Sequence, residues 1–372
     1  MNMTRKNQLH ACACVVAAFP LVVCVTQAHA ADGFQIRYNL AGSLGNEMFN
    51  VQDEPGWRAG LSLNHSHIDQ VTGDDGQRLR LTAPGGTVKL AAGGTPFDPS
   101  YPAQSVEVDS RGSQSVTYAG VSYATESASY WGGRMSFGLS IPYGTKQQTV
   151  RPLNAIPALS WPNAGFPDNA TKAAVTAGYA AQYQAGLDAQ GAAETGSTSG
   201  LGDVDVSMGW IKAQEHSRLI VSASLDMPTG RYSTLSGPHI GYGKFYTLRP
   251  ALTYVIRPTP DWALGVKTTL GLNTTNSDNH VRSGNWAGIE GAVGYKTSLG
   301  ALGVHLLQAQ QLQSDGGGVW GTNRFRSTNA GLSFATKIPV LDMSLALHYS
   351  KTLESRNAKS GNYSQLRLIK SF

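Results

Sequence analysis

The stretch from Gly202 to Gly230, GDVDVSMGWIKAQEHSRLIVSASLDMPTG, alternates apolar and polar residues twice over. Val204, Val206, Met208 and Trp210 are interleaved with Asp203, Asp205 and Ser207. After the polar break AQEHS, Leu219, Val221, Ala223, Leu225 and Met227 are set against Ser222, Ser224 and Asp226. A period of two puts each set on one face of a strand, so this is a β-hairpin with one apolar and one polar face. A soluble sandwich would give the same pattern. The second strand, however, ends at Pro228-Thr229-Gly230 and opens into a long polar loop instead of another tight turn. A short turn followed by a long loop is the rhythm of a membrane barrel.

That rhythm continues in both directions. Trp57, Ala59, Leu61 and Leu63 form a first strand, and residues 67–112, rich in Gly, Pro, Asp and Ser, read as a long loop with room for a hairpin around Leu79–Leu90. Thr117, Ala119, Val121 and Tyr123 form the next strand; Met135, Phe137, Leu139 and Ile141 form another that ends at Pro142. The longest loop runs from Tyr143 to about Ser199. Beyond the hairpin, alternating runs recur at Leu248–Tyr254, Trp262–Leu270, Ala287–Tyr295, Leu302–Leu306, Ala330–Phe334, Met343–Tyr349 and Asn362–Phe372. Short breaks (RPTPD, KTSLG, IPVLD) separate them in turn with long polar ones (NTTNSDNHVRSGN, QLQSDGGGVWGTN, ESRNAKSG).

The fold class is therefore all-β, a transmembrane antiparallel β-barrel of about 12 strands, each close to the roughly 9–11 residues a tilted strand needs to cross a bilayer. The even count returns both ends to one side, with short periplasmic turns there and long extracellular loops opposite. Closure removes edges whose unpaired backbone groups would be costly in hydrocarbon. Trp57, Trp262, Trp286, Tyr295 and Tyr349, near strand ends, suit interfacial girdles.

Residues 1–30 read as a secretory signal peptide: Arg5 and Lys6, an apolar region from Ala11 to Val25, then Ala28-His29-Ala30 before Ala31. No run elsewhere approaches the roughly 18 apolar residues of a transmembrane helix. All three cysteines (Cys12, Cys14, Cys24) fall in the signal, which leaves the mature chain without disulfides, thiolate catalysis or cysteine metal sites. Losing Arg5 and Lys6, with no acid in residues 1–30, takes the net charge from +5 to +3. That is too small to argue for nucleic acid. Residues 31–56 show little alternation and read as a periplasmic lead-in or an inserted plug, and residues 57–372 as the barrel.

With the apolar set facing lipid, Asp203, Asp205, Asp226, Arg249, Lys267, Glu290, His348 and Arg367 face the lumen, because a Lys or Arg on the lipid face near the midplane costs about 2–4 kcal/mol. Their mixed signs suit a salt-bridged, narrow or occluded interior better than a one-sign selective ring. The structural alternative is that these groups mainly satisfy one another. In the longest loop Val175, Tyr179, Tyr183 and Leu187 recur every four residues, with Asp168 and Asn169 as available caps, and predict a short amphipathic helix. Such a helix either folds over the pore, with Trp161, Tyr179 and Tyr183 as capture residues, or packs on the loop surface. His65-x-His67 permits a metal site but reads more simply as a polar pair near a loop. Gly241-Tyr-Gly243 lacks the context of a phosphate loop. No catalytic nucleophile–base set and no cofactor motif is found.

GLGDVDVSMGW (Gly200 to Trp210), LDMPTGRY (Leu225 to Tyr232), FYTLRPALTY (Phe245 to Tyr254), RSGNWAGIEGAVGY (Arg282 to Tyr295) and LLQAQQLQSDGGG (Leu306 to Gly318) resemble, in order, the blocks of the family called "putative meta-pathway of phenol degradation". NLAGSLGNEMFNVQDEPGW (Asn39 to Trp57) resembles that family's usual opening. The resemblance implies a Gram-negative outer-membrane barrel, related to long-chain fatty-acid channels, that admits small hydrophobic or aromatic solutes. The family supplies no settled site residues, so Pro228, Thr229 and Gly230 stand as a fingerprint. The terminal Phe372, with Leu368 and Leu366 on its face, resembles the signal read by the barrel-assembly machinery, although Lys370 stands where an apolar residue is usual. The expected partners are outer-membrane lipid, such solutes and that machinery. A general diffusion porin, or less simply an envelope enzyme or structural anchor, are the alternative functions.

Overall fold

The computed structural model describes residues 34–49, 54–91, 94–126, 130–153, 156–233, 237–317 and 322–372. Residues 1–30, read from the sequence as a signal peptide, lie outside the described residues. The barrel strands are β1 (Gly56–Val71), β2 (Gln104–Ala124), β3 (Arg134–Leu153), β4 (Val204–Ala213), β5 (Ser217–Met227), β6 (Thr247–Ile256), β7 (Trp262–Asn273), β8 (Trp286–Lys296), β9 (Ala301–Gln311), β10 (Arg326–Ile338), β11 (Met343–Arg356) and β12 (Lys359–Ser371). Each pairs antiparallel with its sequence neighbours, and β1 pairs with both β2 and β12, so twelve strands close into a barrel. Among the described residues no helix is long and apolar enough to cross a membrane.

The period of two sorts side chains as the sequence demands. Leu61, Leu63, Val121, Leu139, Val266, Ile289, Val304 and Leu332 are exposed on the outer face. In water such a belt would be an aggregation surface; in hydrocarbon it is the required solvent contact. At the turn end the outer face carries paired rings, Trp57 against Tyr123 at 5.2 Å and Trp262 against Tyr295 at 4.9 Å. Lys370 also lies outward, paired with Ala59 and Met343, its ammonium 5.9 Å from the Phe372 ring. At the strand's last turn a lysine stem covers apolar surface while its charge reaches the interface.

Four expectations are corrected. Trp286 is not a girdle residue: it is fully buried on the lumen face, edge-on to Tyr38 at 5.3 Å. Its neighbours Ala287 and Ile289 hold the outward phase, and a strand cannot present consecutive residues to one face. β3 does not stop at Pro142 but continues to Leu153. Pro142 accepts a bond from Gly202 N on the side where β4 leaves the ladder, so its missing N–H falls in a gap between partners. The segment ESRNAKSG is no loop, since β11 and β12 are joined by Asn357-Ala358 alone, with Asn357 at φ +48°. Asparagine tolerates that left-handed position, which tight hairpins need. Residues 79–90 form no hairpin of their own: Arg80–Ala83 pairs with the start of β2, and Gly86–Thr87 with Ser100–Tyr101.

β2 and β3 rise past the apolar belt, and the predicted helix, α2 (Asn169–Glu194), packs against this extension. Asp168 caps it by accepting from Thr171 N at 2.9 Å, which holds that carboxyl below its ordinary range.

Candidate functional site

The segment from Phe34 to Phe49 lies inside the barrel. It is the described part, up to Phe49, of the stretch 31–56 that sequence reading left as lead-in or plug. Near the loop end Phe34 N donates to Asp315 and Gln35 N to Ser283. Arg37 donates to Asp203 at 2.7 Å, to Thr247 at 2.8 Å and to the Phe245 carbonyl at 3.0 Å, with its guanidinium 4.2 Å above the Phe245 ring. The Arg37 and Asp203 side chains are 2% and 5% exposed. Lower down, Ser350 Oγ donates to the Leu40 carbonyl, and Glu290 Oε1 accepts from the amides of Ser43 and Leu44, each at 2.9 Å. Those amides open a single helical turn, α1 (Leu44–Glu47), whose first N–H groups would otherwise be buried without partners. Lys267 Nζ donates to Ser43 Oγ at 2.8 Å. Toward the turn end Leu44 and Met48 pack with Val255, Ala263 and Ala292.

Small residues in the lumen phase make room for this segment. A Cβ on Gly288 would come within 3.2 Å of the Tyr38 ring, and one on Gly294 within 2.7 Å of Phe49 and 2.9 Å of Met48. On Gly265 it would meet Leu44 at 3.1 Å. Gly42, at φ +85°, turns the chain past Glu290 and His305; a side chain there would be strained and obstructed alike.

The eight residues that sequence reading assigned to the lumen fall into groups. Asp203 holds Arg37 and also accepts from Gly230 N and Tyr242 N. Arg249 binds Asp205, Asp226 at 3.1 Å, and the Arg37 carbonyl at 2.6 Å. Glu290 and Lys267 grip Ser43 from two strands. His348 lies 5.6 Å from His305, beside the same segment. Arg367 donates to Gln365 on its own strand. The fingerprint residues act on Asp203: Gly230 N binds it, and Thr229 Oγ1 accepts from Val204 N next to it. Gly241 sits against Gly230 and brings Tyr242 to the lumen.

The long-loop aromatics lie elsewhere. Tyr179 and Tyr183, 3% and 1% exposed, pack with Leu187 on Ala83 and Val106. Burial pushes both phenols upward, so they stay protonated. They are packing surface, in keeping with the surface-packed alternative for the helix. Trp161 is half-buried, with Lys172 Nζ 5.7 Å from its ring. His65 bonds Ser115 at 2.9 Å and His67 lies 3.4 Å from Asp69, both on the outer face. Among the described residues no three His, Cys, Asp or Glu side chains converge as a metal site would require.

The inserted segment contacts β6 to β11 and Asp203 just before β4, and its Phe34 also packs on the Leu79–Val108 cluster at the loop end; the lumen beside β1 to β5 lies away from the rest of it. Ser62, Ser122, Ser136, Ser140, Ser207 and Ser222 face that space, all partly exposed. Tyr118, from β2, points into it and is 36% exposed. Tyr242 from the β5–β6 loop lies within electrostatic reach of both Tyr118 and Tyr363 of β12. Sequence reading missed these tyrosines, although Tyr118 and Tyr363 carry a signal: each is a ring in the polar phase of an alternating strand. A cavity of about 450 Å³ indents the wall where β11, β12, β1 and β2 meet. The backbone ladder is unbroken there, with Asn64 opposite Gln365, so it is a notch and not an opening.

Comparison with known proteins agrees with the barrel. The COG4313 outer membrane channel from Pseudomonas putida F1 superposes with a TM-score of 0.61 at 14% identity, covering 89% of this chain and all of that one. The β domain of the Bordetella autotransporter BrkA (TM-score 0.46, 10% identity, 86% of this chain, 100% of that) and the CymD monoaromatic hydrocarbon channel (0.38, 9%, 90% and 95%) are more distant. No curated protein matches. Residues 97–368 match the family described as "Putative MetA-pathway of phenol degradation". This chain is an outer-membrane β-barrel that belongs to that family.

Proposed function

We propose that this barrel is a passive channel for small hydrophobic, chiefly aromatic, compounds. One observation carries the reading: residues 34–49 occupy the side of the lumen lined by β7 to β11, while the other side presents Tyr118, 36% exposed, among the partly exposed Ser122, Ser136 and Ser140. Aromatic faces offer a planar solute stacking surface, while phenol and serine hydroxyls bind its polar substituents. A fully open lumen, as in a general porin, would carry no such filling. Family membership and the fold likeness to an outer-membrane channel support the same reading.

The test is uptake of radiolabelled p-cresol by cells with and without the chain. Faster entry with the wild-type chain supports the proposal, and a Tyr118→Ala, Tyr363→Ala double variant should lose most of the gain while the barrel still folds. Equal entry in cells with and without the chain overturns it. Deleting Ala173–Asp188 should leave p-cresol entry largely intact, since that helix packs outside the lumen.

A further inference from the structure

Above the apolar belt the outer wall of the barrel is not the same all round. From β4 to β9 the outward residues nearest the loop end are uncharged: Val204, Met227, Leu248, Leu272, Ala287 and Gln310. Beside the extension of β2 the outward charges pair off, Arg80 with Glu107 at 2.8 Å, Arg111 with Asp109 at 3.0 Å and Arg78 with Asp109 at 3.8 Å. The loop end of β10 and β11 differs from both. Arg326 and Arg356 stand directly opposite each other in the ladder, and their neighbours Ser327 and Ser355 are buried inward, so both guanidiniums point outward. Lys351, opposite Ala330, is exposed on the same face one outward position above Tyr349.

Like charges directly across a ladder are unfavourable, and Glu354 relieves this pair only in part. Its carboxylate lies 3.7 Å from Arg326 and 3.5 Å from Arg356. Those are ion-pair distances, too long for good hydrogen bonds, and Arg326 Nε has no hydrogen-bond partner. One carboxylate therefore screens two guanidiniums without filling their donors. Asp74 is near, but it accepts from Asn357 Nδ2 at 3.3 Å in the hairpin turn. Arg324, exposed just before β10, adds a further cation. Among the described residues no carboxylate lies within ion-pair distance of Lys351. The patch is net positive, and it borders apolar surface without a break: Leu332 and Tyr349 below it and Leu353 within it are all exposed.

We propose that this patch binds the phosphate of a phosphorylated lipid of the outer leaflet. The Arg326 and Arg356 forks take the phosphate oxygens, as planar guanidiniums do, and Lys351 adds its charge closer to the hydrocarbon. The acyl chains lie on Leu332, Tyr349 and Leu353. A free phosphate would use only the upper half of this surface, and half-exposed cations hold a lone ion weakly against salt. A lipid uses both halves at once. The site is on the outer wall, so it is independent of what passes through the lumen.

The test is native mass spectrometry of the purified full-length barrel in detergent, titrated with lipid A and with fully dephosphorylated lipid A. Wild type should bind the phosphorylated form more tightly, and R326Q/R356Q should weaken that binding by about tenfold, as expected for lost charge-assisted hydrogen bonds. E354Q removes the competing carboxylate and should tighten binding by about threefold. K212Q, which removes an outward cation at the turn end of β4, should leave it unchanged. Heat-modifiable gel mobility shows that each variant is folded; if R326Q/R356Q does not fold, K351Q takes its place and should weaken binding, while E354Q should still tighten it. Equal binding of the dephosphorylated lipid, an unshifted R326Q/R356Q, or weaker binding by E354Q overturns the inference. Displacement of lipid A by millimolar inorganic phosphate would mark a free-phosphate site and overturn the lipid assignment.

Discussion

The two sides of the lumen are made of the same alternating strands, yet one behaves as a protein core and the other as a wetted wall. On the side of β7 to β11 the inward phase meets Leu44, Met48 and Tyr38, and Trp286, Leu307 and Asn329 are fully buried. On the side of β1 to β5 the same phase includes Ser62, Ser122, Ser136, Ser140 and Ser207, all partly exposed, and a tyrosine stands more than a third exposed. What differs is the partner. Alternation specifies only that a face is not lipid; whether it becomes core or channel wall depends on what else the chain places inside.

The largest expected effect follows from removing that partner. A chain lacking residues 34–49 should still fold, because the hydrogen-bonded ladder closes without them. Its single-channel conductance should rise severalfold in planar bilayers. Unchanged conductance would mean that the accessible side already carries all the current, and that the filled side contributes no resistance worth removing.

Next comes the anchor. Arg37→Ala leaves Asp203 buried without its cation, and breaking a buried pair from one side costs about 3–5 kcal/mol. The loss should fall on the inserted segment and not on the barrel. Hydrogen exchange of the amides in residues 34–49 should speed up by orders of magnitude, with the strand amides unaffected. Uniformly faster exchange would show that the segment and the barrel unfold as one unit. Glu290→Gln should act in the same direction and more weakly: the amide still offers an acceptor to Ser43 N and Leu44 N, and only the charge-assisted part of those bonds is lost.

Much of this arrangement was legible in the sequence, and the boundary is physical. Alternation located the twelve strands because lipid and lumen impose opposite chemistry on successive residues. It also placed Asp203, Arg249, Glu290 and Lys267 inward. It misplaced Trp286, since an indole suits both an interface and a core, and only the phase of Ala287 and Ile289 distinguishes them. It left residues 31–56 undecided because a segment such as 34–49, which is neither a strand nor a long helix, has no period to read. Arg37 and Asp203 are 166 positions apart, and no local pattern links them. Tyr179 and Tyr183 were found on the right helix face, but a face that is apolar at helical spacing does not say whether it meets a solute or the next loop.

Matched substitutions in the two walls give the finest contrast. Gly294→Ala pushes a methyl to within 2.7 Å of Phe49 and 2.9 Å of Met48, an overpacking that costs about 1–3 kcal/mol and should lower the thermal midpoint. Ser140→Ala alters the accessible wall, where the hydroxyl faces the lumen and no packed neighbour depends on it. Its effect on stability should stay within about 0.5 kcal/mol, and p-cresol entry should change little, because one hydroxyl among several on that wall is a small part of its polarity. A loss at Ser140 as large as the loss at Gly294 would mean that the wetted wall is packed against something after all, and the division of the lumen into two unlike sides would then fail.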